Sequence, residues 1–224
     1  PTFHFIYTTS NHSPYRIEDS LLDYDPKKVM PHVGEDLRSN KTRNKELATY
    51  RYSDKALFSF VDSMKKAYPD SLFIITGDHS NLFGSLNNTS LIHRDYTLRD
   101  TFCTVALLQH PDLDSNMITT QKGTHMSLMP TIIEAIAPKG FEYYSITPSL
   151  FDDQPETLVT PYQWITDSLM GDIRSDYGES NQPSAEPVTQ IRPIDNHAKE
   201  ARDWSLLTTW LINHEEKLFS KKDD

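Results

Sequence analysis

The chain has 224 residues, enough for a real hydrophobic core in one domain with an appendage or in two small domains. A hydrophobic fraction of 37% against 24% charged residues describes a polar surface, and no apolar run approaches the roughly 18 residues needed to span a bilayer. The net charge of −10, from 22 basic and 32 acidic side chains, argues against nucleic acid and anionic membrane surfaces as partners. It leaves room for a small anionic substrate, because a bound metal ion can reverse the field locally.

In chain order, residues 2–8 read as a buried strand with no lead-in, the start expected of a piece of a longer protein. Residues 9–15 form a loop at its end, and the polar stretch to about residue 44, with Pro26, Pro31 and Gly34, reads as loop with a short helix. An amphipathic helix is expected over 45–68: Leu47, Tyr50, Asp54, Leu57, Val61 and Met64 follow helical spacing, and Ala56 and Phe60 widen the face. Residues 71–76 are a β-branched strand, and 80–90 a loop rich in Asn, Ser and Gly. The apolar run 102–108 favours strand and holds the single cysteine, Cys103, which reads as a buried small hydrophobe. One cysteine permits no intrachain disulfide and fits a bacterial envelope protein as well as a cytosolic one. Residues 126–137 form a helix with Pro130 tolerated in its first turn.

This alternation predicts an α/β domain over residues 1–150, with a mainly parallel sheet flanked by helices. A helical and extended C-terminal tail over 151–224 follows. Within it, 161–173 is expected as a helix with Thr160 as N-cap, and 174–196 as a linker. A strong helix over 198–219 carries Trp204, Leu207, Trp210, Leu211 and Leu218 on the side expected to dock on the main domain.

The chemistry concentrates where the strand 71–76 stops at Gly77, followed at once by Asp78 and His79. Within a regular strand those two side chains would point to opposite faces. Both reach one ion only if the backbone leaves the strand, and a glycine makes a sharp exit cheap. A carboxylate and a neutral imidazole are ordinary ligands of zinc or manganese, and sites in open α/β sheets cluster beyond the carboxyl ends of strands. An ordinary strand-end turn would also accept Gly-Asp. Two more histidines stand at comparable places. His12 lies in the loop after the first strand, and His125 lies at the entrance of the helix over 126–137, where a capping or packed histidine is the competing reading.

Four segments in this order, Thr9-Ser-Asn-His-Ser-Pro-Tyr15, Tyr50-Arg-Tyr-Ser-Asp54, Gly77-Asp-His79 and Met129-Pro-Thr-Ile-Ile133, resemble the C-terminal half of the sulfatase-like part of the alkaline phosphatase superfamily. The closest branch is the lipoteichoic acid synthase and phosphoglycerol transferase type. The resemblance implies that Asp78 and His79 are two ligands of a catalytic divalent metal (manganese, zinc, magnesium or calcium). It implies that His12 contacts the phosphate or sulfate group, and that His125 is a possible further metal or substrate contact. The implied reaction is phosphoglycerol transfer or phosphodiester hydrolysis through a covalent intermediate; an arylsulfatase-type hydrolase and a non-catalytic binding module are the alternatives. The implied substrate is a small anionic ester or lipid head group. The implied location is the extracytoplasmic face of a bacterial inner membrane, reached through an N-terminal anchor. The family carries its nucleophile and another acidic ligand in an N-terminal half that this chain does not contain. The parent protein is therefore expected to be the enzyme, and the chain alone to be inactive.

Overall fold

In the computed structural model, which describes residues 2–18, 25, 28, 34–80, 97–114, 122–160, 162–174, 178–180 and 197–214, a single helical turn, α1 (Glu35–Arg38), leads to a long helix. The long helix α2 (Lys41–Ala67) begins four residues before its expected start. The reason is Asn40, whose side chain accepts the Arg43 N–H at 3.1 Å and satisfies one of the free donors of the first turn. Its last turn carries Lys65 and Lys66, where cations suit the helix dipole, and Tyr68 N–H closes it on the Met64 carbonyl before Pro69.

Strand β1 (Phe73–Thr76) pairs antiparallel with β2 (Ala106–Gln109), Phe73 opposite Gln109 and Thr76 opposite Ala106. A short helix, α3 (Leu98–Phe102), precedes β2 and starts on a capping box in which Thr97 and Asp100 bond each other's backbone N–H groups. The run 102–108, expected as one strand, is thus divided: Phe102 ends a helix and pairing starts only at Ala106. Cys103 is the C-cap of α3; it is half-buried, its Sγ lies 3.8 Å from Met170 Sδ, and burial pushes its thiol pKa up.

By contact, the chain forms two units, one of residues 1–95 and 104–112, the other of 96–103 and 113–224. The first holds α1, α2 and the β1–β2 ladder; the second holds α3 and everything from residue 113.

The second unit opens with a 3₁₀ turn (His125–Ser127) leading into α4 (Leu128–Ile136), with Pro130 in its first turn as expected. Buried Thr131 donates to the Ser127 carbonyl at 2.6 Å and accepts the Leu150 N–H at 2.8 Å, fastening the segment around residue 150 to this helix. A four-stranded antiparallel meander follows in the order β3 (Leu158–Val159), β4 (Gln163–Ile165), β5 (Leu169–Asp172), β6 (Gly178–Ser180). The helix expected over 161–173 is therefore a β-hairpin. Thr160 Oγ1 does accept the Gln163 N–H at 2.9 Å, but the bond closes a turn into β4. Thr166 repeats the device, accepting the Leu169 N–H at 3.0 Å. Trp164 has no exposed surface and lies opposite Gly171 across the ladder, where the absent side chain makes room for its ring. Ile173, Val159 and Leu169 complete this core.

Helix α5 (His197–Asn213) packs against β3 and β4 of its own unit. Trp204, Leu207 and Trp210 stay about half exposed there. Leu218 and the expected end of the helix lie outside the described residues. No helix among the described residues is long and apolar enough to cross a membrane.

Two further expectations need correction. Every ladder among the described residues is antiparallel, not mainly parallel. Apolar periodicity identifies a strand without giving its direction, and β2 enters opposite the end at which β1 leaves. Residues 2–8 are extended but form no ladder among the described residues, and Phe3, Phe5, Ile6 and Tyr7 are all exposed. Strand propensity expresses packing against neighbours, and these side chains stay largely exposed.

Arg174 makes one contribution to the pH response of the second unit. Its guanidinium grips both oxygens of Asp172, Nε at 3.0 Å and a terminal nitrogen at 2.6 Å, and holds that carboxyl below the usual range. A depressed folded-state pKa contributes stability that is present above the unfolded value, about 3.9, and fades as pH falls through the folded value. Asp172→Asn should lower the melting temperature of the second unit at pH 7. The gap to wild type should be small, because Arg174 is solvent-exposed, and should close as pH falls through the lowered folded value of Asp172. Melting curves at pH 7 and in acid check this.

Candidate active site

Gly77 leaves β1 directly after its last residue, as the sequence suggests, but the glycine serves a different purpose from a left-handed exit: Gly140 is the only described glycine with positive φ. A Cβ on Gly77 would lie 2.5 Å from Thr104 Oγ1, so the bare backbone lets the start of the returning chain pass close by. Gly77→Ala should destabilise the first unit by about 1–3 kcal/mol through this clash. Thr104→Ala on top of it should recover most of the loss, as read by urea denaturation.

Just beyond, the Asp78 carboxylate is fixed by its neighbours. Oδ1 accepts the His79 N–H at 2.9 Å, and Oδ2 lies 3.4 Å from the Tyr7 hydroxyl. The His79 ring turns back on its own chain, with Nδ1 2.7 Å from the Ser80 carbonyl. A carbonyl only accepts, so Nδ1 carries the proton and the lone pair of the neutral ring sits on Nε2. That Nε2 is 3.7 Å from Asp78 Oδ2, and both side chains are more than half exposed. Adjacent donors on a tetrahedral ion with bonds near 2.0–2.1 Å are about 3.3 Å apart, so the spacing suits one ion held by both after a small rotation. Among the described residues no third histidine, cysteine or carboxylate joins the two. They are a pair of donors, not a closed site.

His12 occupies the turn after the extended segment. Its N–H bonds the Thr9 carbonyl at 3.0 Å, and its carbonyl accepts the Tyr15 N–H at 2.9 Å. Its Nδ1 lies 2.7 Å from the Ser13 carbonyl, which by the same logic leaves Nε2 open and exposed. His110 in the same unit shows the contrast. Its Nδ1 accepts the Asp112 N–H at 3.1 Å, so Nε2 is committed as the donor toward the Asp70 carbonyl at 3.3 Å. Both nitrogens of that ring are taken by backbone groups, whereas in His12 and His79 only Nδ1 meets a backbone carbonyl.

Sequence reading missed what holds His12. The Tyr15 hydroxyl donates to Glu46 Oε1 at 3.0 Å, Arg43 donates to Glu46 Oε2 at 2.6 Å, and Glu46 is fully buried in α2. Ser53 Oγ donates to Asn11 Oδ1 at 2.7 Å. Tyr15 has φ +57°, a left-handed conformation that costs a bulky residue about 1–3 kcal/mol and persists only where its surroundings enforce it. The signal was available in part: an acid at 46 on the helix face that also presents Ala48 and Thr49 to the interior calls for a buried partner. His125, in the 3₁₀ turn before α4, is exposed and belongs to the second unit.

A strand-end carboxylate and imidazole face one another, with a second exposed imidazole in the same unit; carboxylates and neutral imidazoles are ordinary ligands of divalent metals. The Sulfatase family profile matches residues 1–137, so the chain belongs to the sulfatase family, an α/β superfamily of hydrolases and transferases that generally use divalent metals. No curated protein and no solved structure matches the chain.

Proposed function

We propose that the protein processes phosphate or sulfate esters with a divalent metal ion (manganese, zinc, magnesium or calcium). Within the family we place it nearest the lipoteichoic acid synthase and phosphoglycerol transferase type, with phosphoglycerol transfer or phosphodiester hydrolysis through a covalent intermediate as its reaction. The observation that carries the reading is the 3.7 Å approach of Asp78 Oδ2 to a His79 Nε2 whose lone pair is free.

A metal bound there would supply Lewis-acid polarisation of the ester. Asp78 and His79 would hold it, and the backbone bonds of both side chains fix them before it arrives. His12, donating from Nε2 when protonated, would bind a non-bridging oxygen of the ester. In this reading the nucleophile and further acidic ligand come from an N-terminal half of the same protein. The absence of a third donor beside the pair among the described residues supports that division of labour. The substrate is a small anionic ester or lipid head group. The placement outside a bacterial inner membrane, behind an N-terminal anchor, rests on the branch resemblance. A non-catalytic module that kept the fold is the second reading, favoured by the pair having no third ligand among the described residues.

The test is turnover of bis(4-nitrophenyl) phosphate and of 4-nitrophenyl sulfate by the full-length protein with and without Mn²⁺. Metal-dependent diester turnover is the expected result. Faster sulfate turnover would move the protein to the arylsulfatase type. Metal binding without turnover of either ester would favour the non-catalytic module, and no metal response at Asp78 and His79 would defeat the proposal.

A further inference from the structure

Glu46 has no exposed surface, yet both of its carboxylate oxygens are engaged, one by Arg43 at 2.6 Å and one by the Tyr15 hydroxyl at 3.0 Å. We propose that Glu46 is a positioning residue for His12: through Tyr15 it latches the turn that carries the imidazole onto α2 and sets which ring nitrogen faces the ester. The inference rests on the reading of His12 as the ester-contacting residue, and names the device behind it.

The latch has two points. Glu46 and Ser53 are seven residues apart, so they stand on one face of α2 about 10 Å apart along its axis. Ser53 holds Asn11 at 2.7 Å, immediately before His12, and Glu46 holds Tyr15, three residues after it. Thr49, fully buried between them, donates to the Glu46 carbonyl at 2.7 Å and leaves no slack in that face of the helix. The span between the anchors contains the bonds that define the ring. The backbone turns run from Thr9 to His12 and from His12 to Tyr15, and the Ser13 carbonyl accepts from Nδ1. A carboxylate accepts only, so Glu46 admits the phenol in one role, as donor. The left-handed φ of Tyr15 is the mark of the constraint: a tyrosine released from Glu46 has no reason to stay at +57°. If Tyr15 relaxes, the Tyr15–His12 backbone bond goes with it, and the Ser13 carbonyl no longer selects the Nδ1–H tautomer.

Tyr15→Phe and Ser53→Ala remove one hydroxyl each without emptying the interior, and Glu46→Gln tests the acid itself. Histidine long-range ¹H–¹⁵N spectra of this chain should show His12 protonated on Nδ1 in the wild type and as a mixture of tautomers in Tyr15→Phe and Glu46→Gln. Amide exchange at His12 and Tyr15 should rise at least about tenfold in Tyr15→Phe and in Ser53→Ala, with the melting temperature within a few degrees of wild type. Unchanged tautomer and exchange in Tyr15→Phe would overturn the proposal even if Glu46→Gln fails to fold. Inorganic phosphate is the ligand probe: it should perturb His12 in the wild type and bind at least about fivefold more weakly to Tyr15→Phe. A wild-type His12 blind to phosphate, together with the expected tautomer and exchange changes, would remove the ester reading and leave the latch standing.

Discussion

Asp78→Asn is expected to weaken Mn²⁺ or Zn²⁺ binding by about 100- to 1000-fold, the share of one ligand when about 10–16 kcal/mol of binding energy is spread over four. The substitution keeps size and shape and still offers the His79 N–H an acceptor oxygen, so the local fold survives. What it removes is the negative charge beside His79 Nε2, at the position where a cation would sit 3.7 Å across the pair. His79→Gln should produce a comparable loss, and the double variant a clearly larger one, because each side chain contributes its own share of a four-ligand site. Calorimetric titration of the three variants against wild type checks the prediction. An Asp78→Asn protein that binds metal as tightly as wild type would place the ion elsewhere.

The second large effect is expected in the meander, at Gly171. A Cβ there would lie 2.3 Å from the ring carbons of Trp164, and an indole with no exposed surface cannot step aside. Gly171→Ala should cost about 3 kcal/mol, at the upper end for overpacking, while Trp164→Ala should cost about 3–5 kcal/mol through the cavity it leaves. Combining Gly171→Ala with Trp164→Leu should be markedly less harmful than the sum of the two, since the smaller side chain clears the added methyl. Denaturation followed by tryptophan-independent circular dichroism measures all of these. Additive costs would mean that the ring and the glycine do not share their space.

Much of this architecture is legible in the sequence wherever a single element decides its own fate. The face from Leu47 to Met64 predicts α2, the β-branched run before Gly77 predicts β1, and Met129 to Ile136 predicts α4. Legibility ends where a distant partner decides. The stretch around Trp164 carries spacing that a helix could use, but Gly171 offers the indole a slot only across a ladder, and that pairing cannot be read from either residue alone. Residues 2–8 look like an interior strand because their side chains are apolar, and composition does not say whether neighbours are present. Likewise Asp78 and His79 are visible as a motif, whereas the support of His12 joins positions 31 and 42 residues apart that share no local pattern.

The way the backbone threads between its two units has a practical corollary. The chain crosses from the first to the second at about residue 96, comes back at 104 and departs again at 113. No single peptide-bond cleavage can therefore release either one intact, and a fragment stopped short of residue 106 would be born without β2. Its β1 would then present a bare hydrogen-bonding edge to other chains. Expression boundaries for the first unit belong after residue 112, with a short spliced linker in place of 96–103 if it is to be isolated.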